Sequence, residues 1–270
     1  MKIKKLEHLS EVFKEYDAFI IDLWGVMHNG IDLNSKAVEV VENLIKNEKR
    51  ITFLSNAPRP NKNVIRFLRK LNMNEDHLKH VLTSGEAAIK SLKDKKFGNK
   101  FFHLGPERDA SLFEGLEKDK TNLESCDFIL CTGLFDNHEN DLEYYKKLLK
   151  KHNSKKLICT NPDLIVHRGL KKEYCAGTIA EIFEFLGGKV IYFGKPHEEV
   201  YRMCLKKNEN TFVIGDNLNT DIKGANNLNL DSLFITGGVH RSEYQDENGL
   251  EDLLKKYKVK TKYFQKNLCW

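Results

Sequence analysis

Ala18-Phe19-Ile20-Ile21 is an apolar run of four residues that stops at an acid, Asp22. It is too short for a helix and rich in β-forming side chains, so it predicts a buried strand. Just beyond the acid, Trp24-Gly25-Val26 reads as a turn. Asp22 is thereby expected at the carboxyl edge of a sheet, where open α/β folds bind their ligands. An acid there either caps a turn or takes part in chemistry.

Similar runs recur along the chain, separated by stretches with helical spacing. Ala37, Val40, Val41, Leu44 and Ile45 predict a helix over 36–44, and residues 50–54 form a second strand candidate ending in Ser55 and Asn56. Two prolines, Pro58 and Pro60, require a loop before a helix over 61–71. This βαβα opening predicts a parallel sheet with right-handed crossovers. From Val81 the pattern restarts, with Thr83-Ser84 capping a helix that runs to Leu92. Further strands are expected at 100–104, 128–131 and 157–159, and helices near 109–116, 142–149 and 178–186. The last third predicts strands at 190–193, 211–214 and 232–235, with helices at 198–206 and from Thr220.

Composition narrows the function. With 40% hydrophobic and 31% charged residues, 270 residues can bury one large core or two small ones. The net charge of +5 comes from lysines scattered along helical faces, which argues against nucleic-acid binding. Six cysteines without a CxxC pair or zinc-ligand spacing suit a reduced, cytoplasmic protein. Neither a signal-peptide core nor an apolar stretch of membrane-spanning length is visible.

Four strand candidates end in Asp22, Ser55, Lys195 and Asp216, and in one parallel sheet those ends share an edge. Taken singly, Lys195 would be a solvated charge and Asp221 a helix-start acid. Together they resemble a kit for phosphoryl transfer. The carboxylates would hold Mg2+, a hard cation that takes oxygen ligands. Lys195 and Ser55 would neutralise phosphoryl oxygens, and Asp22 would attack phosphorus to give an aspartyl-phosphate.

In IIDLWGV, ITFLSNA, YFGKPHEEVY and VIGDNLNTDIKGANN, with TNPD at residues 160–163, the chain resembles the haloacid dehalogenase (HAD) superfamily, in particular class IIA phosphatases of the NagD type. The resemblance implies a doubly wound, Rossmann-like α/β core of residues 1–83 and 187–270, and an α/β cap inserted at 84–186. It implies that Asp22 is nucleophile and Mg2+ ligand, that the backbone carbonyl of Trp24 and the Asp216 carboxylate are further ligands, and that Asp221 positions the metal's water shell. Ser55 and Lys195 would bind the phosphoryl group and Asn56 would line the site. Asn161, Asp163, His167 and Arg168 become candidates for substrate contact, the substrate being a small phosphorylated metabolite. A homodimer through the cap is a further implication.

The sequence departs from that pattern at Trp24, where phosphatases of the family carry a second Asp that protonates the leaving oxygen. Losing a general acid typically costs about 10²–10⁴-fold in rate. His28 is a candidate substitute. Two alternatives to a phosphatase stay open: a HAD enzyme of another reaction type, or a catalytically weakened protein that binds a phosphorylated metabolite.

Overall fold

The computed structural model describes residues 3–168, 171–244, 246–247 and 249–270, apart from the side chains of Lys90 and Arg168. In chain order the strands are β1 (Lys4–Lys5), β2 (Ala18–Ile21), β3 (Arg50–Ser55), β4 (Val81–Thr83), β5 (Phe101–Leu104), β6 (Phe128–Cys131), β7 (Lys156–Cys159), β8 (Ile165–Arg168), β9 (Lys171–Tyr174), β10 (Lys189–Tyr192), β11 (Thr211–Gly215), β12 (Asp231–Ile235) and β13 (Tyr263–Gln265). The helices are α1 (Ser35–Lys46), α2 (Asn61–Lys70), α3 (Glu75–Leu78), α4 (Ser84–Lys93), α5 (Leu142–Leu149), α6 (Ala176–Phe185), α7 (Glu198–Arg202), α8 (Lys223–Asn227) and α9 (Leu250–Tyr257). The fold class is the α/β arrangement that the sequence predicts, parallel sheets with surrounding helices.

The chain forms two compact units. The first comprises Met1–Ser55, Ile65–Val81 and Lys195–Trp270. Its sheet has the order β1-β13-β12-β11-β2-β3-β4, and its last strand leads into the second unit at Leu82. Strand β2 lies between β11 and β3, parallel to both, and all four of its side chains are buried. A strand covered on both faces must be apolar throughout, which is why the run reads AFII without alternation. Helix α1 is capped by Asn34, whose side chain accepts from the Ala37 N–H, and it buries Ala37, Val40, Val41 and Leu44.

The second unit comprises Asn56–Val64 and Leu82–Gly194. Its four-stranded sheet, in the order β10-β7-β6-β5, is also parallel, and β8 and β9 form a separate antiparallel pair. Thr83 caps α4, its hydroxyl accepting from Glu86 N–H at 3.0 Å. A core of Leu104, Ile129, Leu157, Ile179 and Phe183 closes one face of this sheet.

Three local expectations change. Residues 109–116 form no α-helix; a 3₁₀ segment, Glu107–Phe113, starts after Pro106 and is followed by Gly115 at φ +84°. Helix α7 ends at Arg202, where the next apolar residue, Met203, is 57% exposed and has no core to join. The strand before Lys195 does not belong with those before Asp22, Ser55 and Asp216, because β10 pairs with β7 in the second sheet. For the same reason residues 187–194 group with the second unit, and residues 56–64 group with it as well without sharing that ladder. Among the described residues no helix is long and apolar enough to cross a membrane.

Candidate active site

Register builds the site. Ile21 pairs with Ile214 of β11 on one side and with Phe53 of β3 on the other. Asp22, one residue past Ile21, therefore shares the carboxyl edge with Asp216 and Ser55, each two residues past its own partner. Asp22 keeps the ladder going through its N–H to Ile214 O at 2.9 Å, so the acid is fixed to the strand and not to a mobile loop.

Lys195 reaches this edge although its strand does not. Its Nζ donates to Asp22 Oδ1, and to Asp221 Oδ1 at 2.7 Å, with all three side chains under a tenth exposed. Asp221 Oδ2 accepts the Asn217 N–H at 3.1 Å, and Tyr201 Oη donates to the Asp221 carbonyl at 3.1 Å. Asp216 Oδ2 accepts the Val239 N–H at 2.7 Å. Two glycines make room for that carboxylate: a Cβ on Gly25, which sits at φ +91°, or on Gly238 would come within 2.0 Å of Asp216 Oδ2.

Asp22, Asp216 and Asp221 are all buried, and one oxygen of each lies within 4.8 Å of the others. Three carboxylates facing one ammonium leave an excess of negative charge. Burial, and then the charges of Asp22 and Asp221, push the Asp216 carboxyl well above the usual carboxylate range, against the stabilising Val239 N–H and Lys195. An all-oxygen donor set with uncompensated negative charge fits a hard divalent cation, whose charge would reverse that shift. Both oxygens of Asp221 accept hydrogen bonds, one from Lys195 and the other from Asn217.

Trp24 is half-buried and its indole rests on Gly30, where a Cβ would meet the ring at 2.8 Å. His28 packs edge-on against Trp24 and Phe67, at 5.2 and 5.4 Å between centroids. Its Nδ1 accepts the Gly30 N–H at 3.1 Å, and burial lowers its pKa to about 4. A neutral imidazole wedged in this way is a wall of the turn and a poor proton donor at neutral pH.

The remaining sequence candidates lie in the second unit. Asn161 Oδ1 accepts the Asp163 N–H at 3.1 Å, and Asn56 Nδ2 donates to Asp163 Oδ1 at 3.1 Å, so these three hold one another in place. His167 stands on β8 opposite Lys172 of β9. Arg168 is on β8 as well, and its side chain lies outside the described residues.

Sequence reasoning missed the segment after β12. Thr236-Gly237-Gly238-Val239 continues from the strand next to β11 and so falls on the same edge, supplying the Val239 N–H to Asp216. A glycine pair directly after a buried strand was the available signal.

The chain is similar to known proteins over most of its length. A family described as haloacid dehalogenase-like hydrolase matches residues 19–117, and one described as HAD-hydrolase-like matches residues 192–266. The 5'-nucleotidase YutF of Bacillus subtilis (strain 168) is 24% identical over 250 residues, covering 87% of this chain and 93% of that protein. A haloacid dehalogenase-like hydrolase from Brucella suis 1330 is 29% identical with a TM-score of 0.84, covering 97% of this chain and 99% of that one. A 4-nitrophenylphosphatase from Thermotoga maritima is 26% identical with a TM-score of 0.70, covering 95% and 96%.

Proposed function

Because the chain belongs to the haloacid dehalogenase-like hydrolases, we propose that it is a Mg2+-dependent phosphatase that acts on a small phosphorylated metabolite through an aspartyl-phosphate on Asp22. The observation that carries this reading is the buried cluster of Asp22, Asp216 and Asp221 with Lys195 shared between two of its members. The names of similar proteins support it, one being a 5'-nucleotidase and another a 4-nitrophenylphosphatase.

In this reading a carboxylate oxygen of Asp22 attacks phosphorus in line, and the bond from phosphorus to the leaving oxygen breaks with its electrons on that oxygen. Lys195 moves part of its hydrogen bonding from Asp22 to the phosphoryl oxygens as the carboxylate becomes an acyl phosphate. Ser55 donates to the same oxygens and Asn56 completes the lining. Mg2+, held by Asp22, Asp216 and the Trp24 carbonyl with Asp221 behind them, would supply charge neutralisation to the phosphoryl group. Water then attacks phosphorus, releasing phosphate and restoring Asp22. With Trp24 in place of an acid, the leaving oxygen takes its proton from solvent. Residues 84–186 would serve as the cap that selects the leaving group, with Asn161, Asp163, His167 and Arg168 as candidate contacts.

One observation favours a second reading, a weakened metabolite-binding protein: the indole and the neutral imidazole of Trp24 and His28 occupy the turn where an acid would be expected. Turnover of p-nitrophenyl phosphate with Mg2+ separates the two, since that leaving group needs little protonation. The phosphatase reading expects turnover that Asp22→Asn abolishes, with a phosphorylated Asp22 peptide recoverable from quenched wild-type enzyme. Absence of turnover despite Mg2+ binding would favour the binding protein.

A further inference from the structure

The loop after β12 contacts the Asp216–Asp221 turn twice. Val239 N–H holds the Asp216 carboxylate at 2.7 Å, and one residue later His240 Nε2 accepts the Leu218 N–H at 3.1 Å. Leu218 lies between the two acids, in the π-helical turn Leu218–Ile222, and its N–H is one of the donors a helix start leaves without an intrahelical partner. His240 is 5% exposed.

An imidazole can accept at Nε2 only as the tautomer that carries its proton on Nδ1. Glu243 enforces that tautomer: its Oε1 lies 2.8 Å from His240 Nδ1. Glu243 is itself held by Tyr257 Oη, at 2.8 and 3.0 Å from its two oxygens, and by Lys256 Nζ. The His240 ring packs edge-on against Tyr257 at 4.7 Å. A continuous line of hydrogen bonds thus runs from α9 through Glu243 and His240 to the backbone between Asp216 and Asp221.

We propose that His240 is a positioning residue for the cation site, oriented by Glu243, and that its Nε2 fixes the turn that spaces Asp216 from Asp221. The proposal rests on the reading of Asp22 and Asp216 as the ligands of a divalent cation. Groups that orient a site's ligands without touching the metal typically change its affinity by 10–100-fold when lost.

Two substitutions separate positioning from mere packing. Gln carries an acceptor where Nε2 stands, whereas Asn reaches only as far as Nδ1. His240→Gln is expected to bind Mg2+ within about threefold of wild type and His240→Asn about tenfold more weakly. Mg2+ alone is titrated calorimetrically against each full-length protein, without substrate. At saturating Mg2+, the KM for p-nitrophenyl phosphate should change by less than about twofold in both. Should His240→Asn not fold, Glu243→Ala keeps the ring but releases its tautomer, and weaker Mg2+ binding is again expected. Wild-type affinity in His240→Asn or Glu243→Ala, or equal losses in His240→Gln and His240→Asn, would overturn the proposal. A wild-type protein that binds no Mg2+ would remove the cation-site reading and this one together.

Discussion

Lys195 Nζ lies 2.7 Å from Asp221 Oδ1 and at the same time donates to Asp22, so one buried cation joins the expected nucleophile to the acid of the neighbouring turn. Neither carboxylate has enough water around it to stand alone. Removing one partner of a buried ion pair commonly costs about 3–5 kcal/mol, because the remaining charge stays buried. Lys195→Met, which keeps the aliphatic volume, should therefore unfold at lower urea concentration by about 3 kcal/mol and lose turnover of p-nitrophenyl phosphate. Added Mg2+ should raise its melting temperature more than it raises that of wild type, since the cation would take over part of the missing charge. Equal shifts would argue that Mg2+ binds away from these carboxylates.

Asp216 gives the opposite result. Its carboxyl is held well above the usual range by burial and by its acidic neighbours, so the metal-free protein bears a cost for its anion. Asp216→Asn removes that charge and keeps an oxygen to accept the Val239 N–H. The variant should melt at or above the wild-type temperature without Mg2+ and show no further rise when Mg2+ is added. Calorimetric Mg2+ binding equal to wild type would place the cation elsewhere.

A pH effect on stability is expected from the second unit. His103 is buried, its Nε2 lies 3.0 Å from Thr132 Oγ1, and burial followed by the Lys120 charge lowers its pKa to about 4 from the ordinary 6.5. Between those values the unfolded chain binds more protons than the folded one, so stability rises with pH there. The contribution is fully present above pH 6.5 and is lost as pH falls towards 4, by at most about 3 kcal/mol. His103→Gln, which cannot titrate but can still meet Thr132, should flatten the fall in urea midpoint across that window. An unchanged slope would assign the acid sensitivity to other groups.

Legibility in the sequence tracked the physics of each part. Strand β2 and its acid were plain because a strand buried on both faces has to be an unbroken apolar run, and Asp22 interrupts it at the edge. Asp216, just past the buried run of β11, was readable through the same rule. Lys195 was found by its position after a strand, yet that strand belongs to the second sheet, since which of two parallel sheets a short run joins depends on partners distant in sequence. His240 and Glu243 were invisible for a related reason. Their role lies in hydrogen bonds to the Leu218 N–H and to Tyr257, and no periodicity encodes a bond to a backbone amide. The antiparallel pair of β8 and β9 reads IVHR against KKEY, and four residues a strand without alternation offered no pattern to recognise.

In the proposed phosphatase reading, Trp24 sets which leaving groups the enzyme can release. Its indole sits on Gly30 and against His28, whose pKa of about 4 leaves it neutral in the working range, so the turn after Asp22 holds no ready proton donor. The departing oxygen must then carry its own charge, and the rate should fall steeply as leaving-group pKa rises. Aryl and acyl phosphates are expected to turn over at least about 10²-fold faster than alkyl phosphates such as sugar phosphates. Trp24→Asp should raise the alkyl rate selectively if its carboxylate meets the leaving oxygen. Trp24→Ala, which also opens the turn but supplies no acid, serves as the control, and melting temperatures of both variants report the packing lost over Gly30. A flat dependence on leaving group in wild type, with the chemical step shown to be rate-limiting, would mean that a residue outside this turn delivers the proton. Acidic and histidine side chains of the second unit would then be the ones to substitute, Asp163 and His167 first.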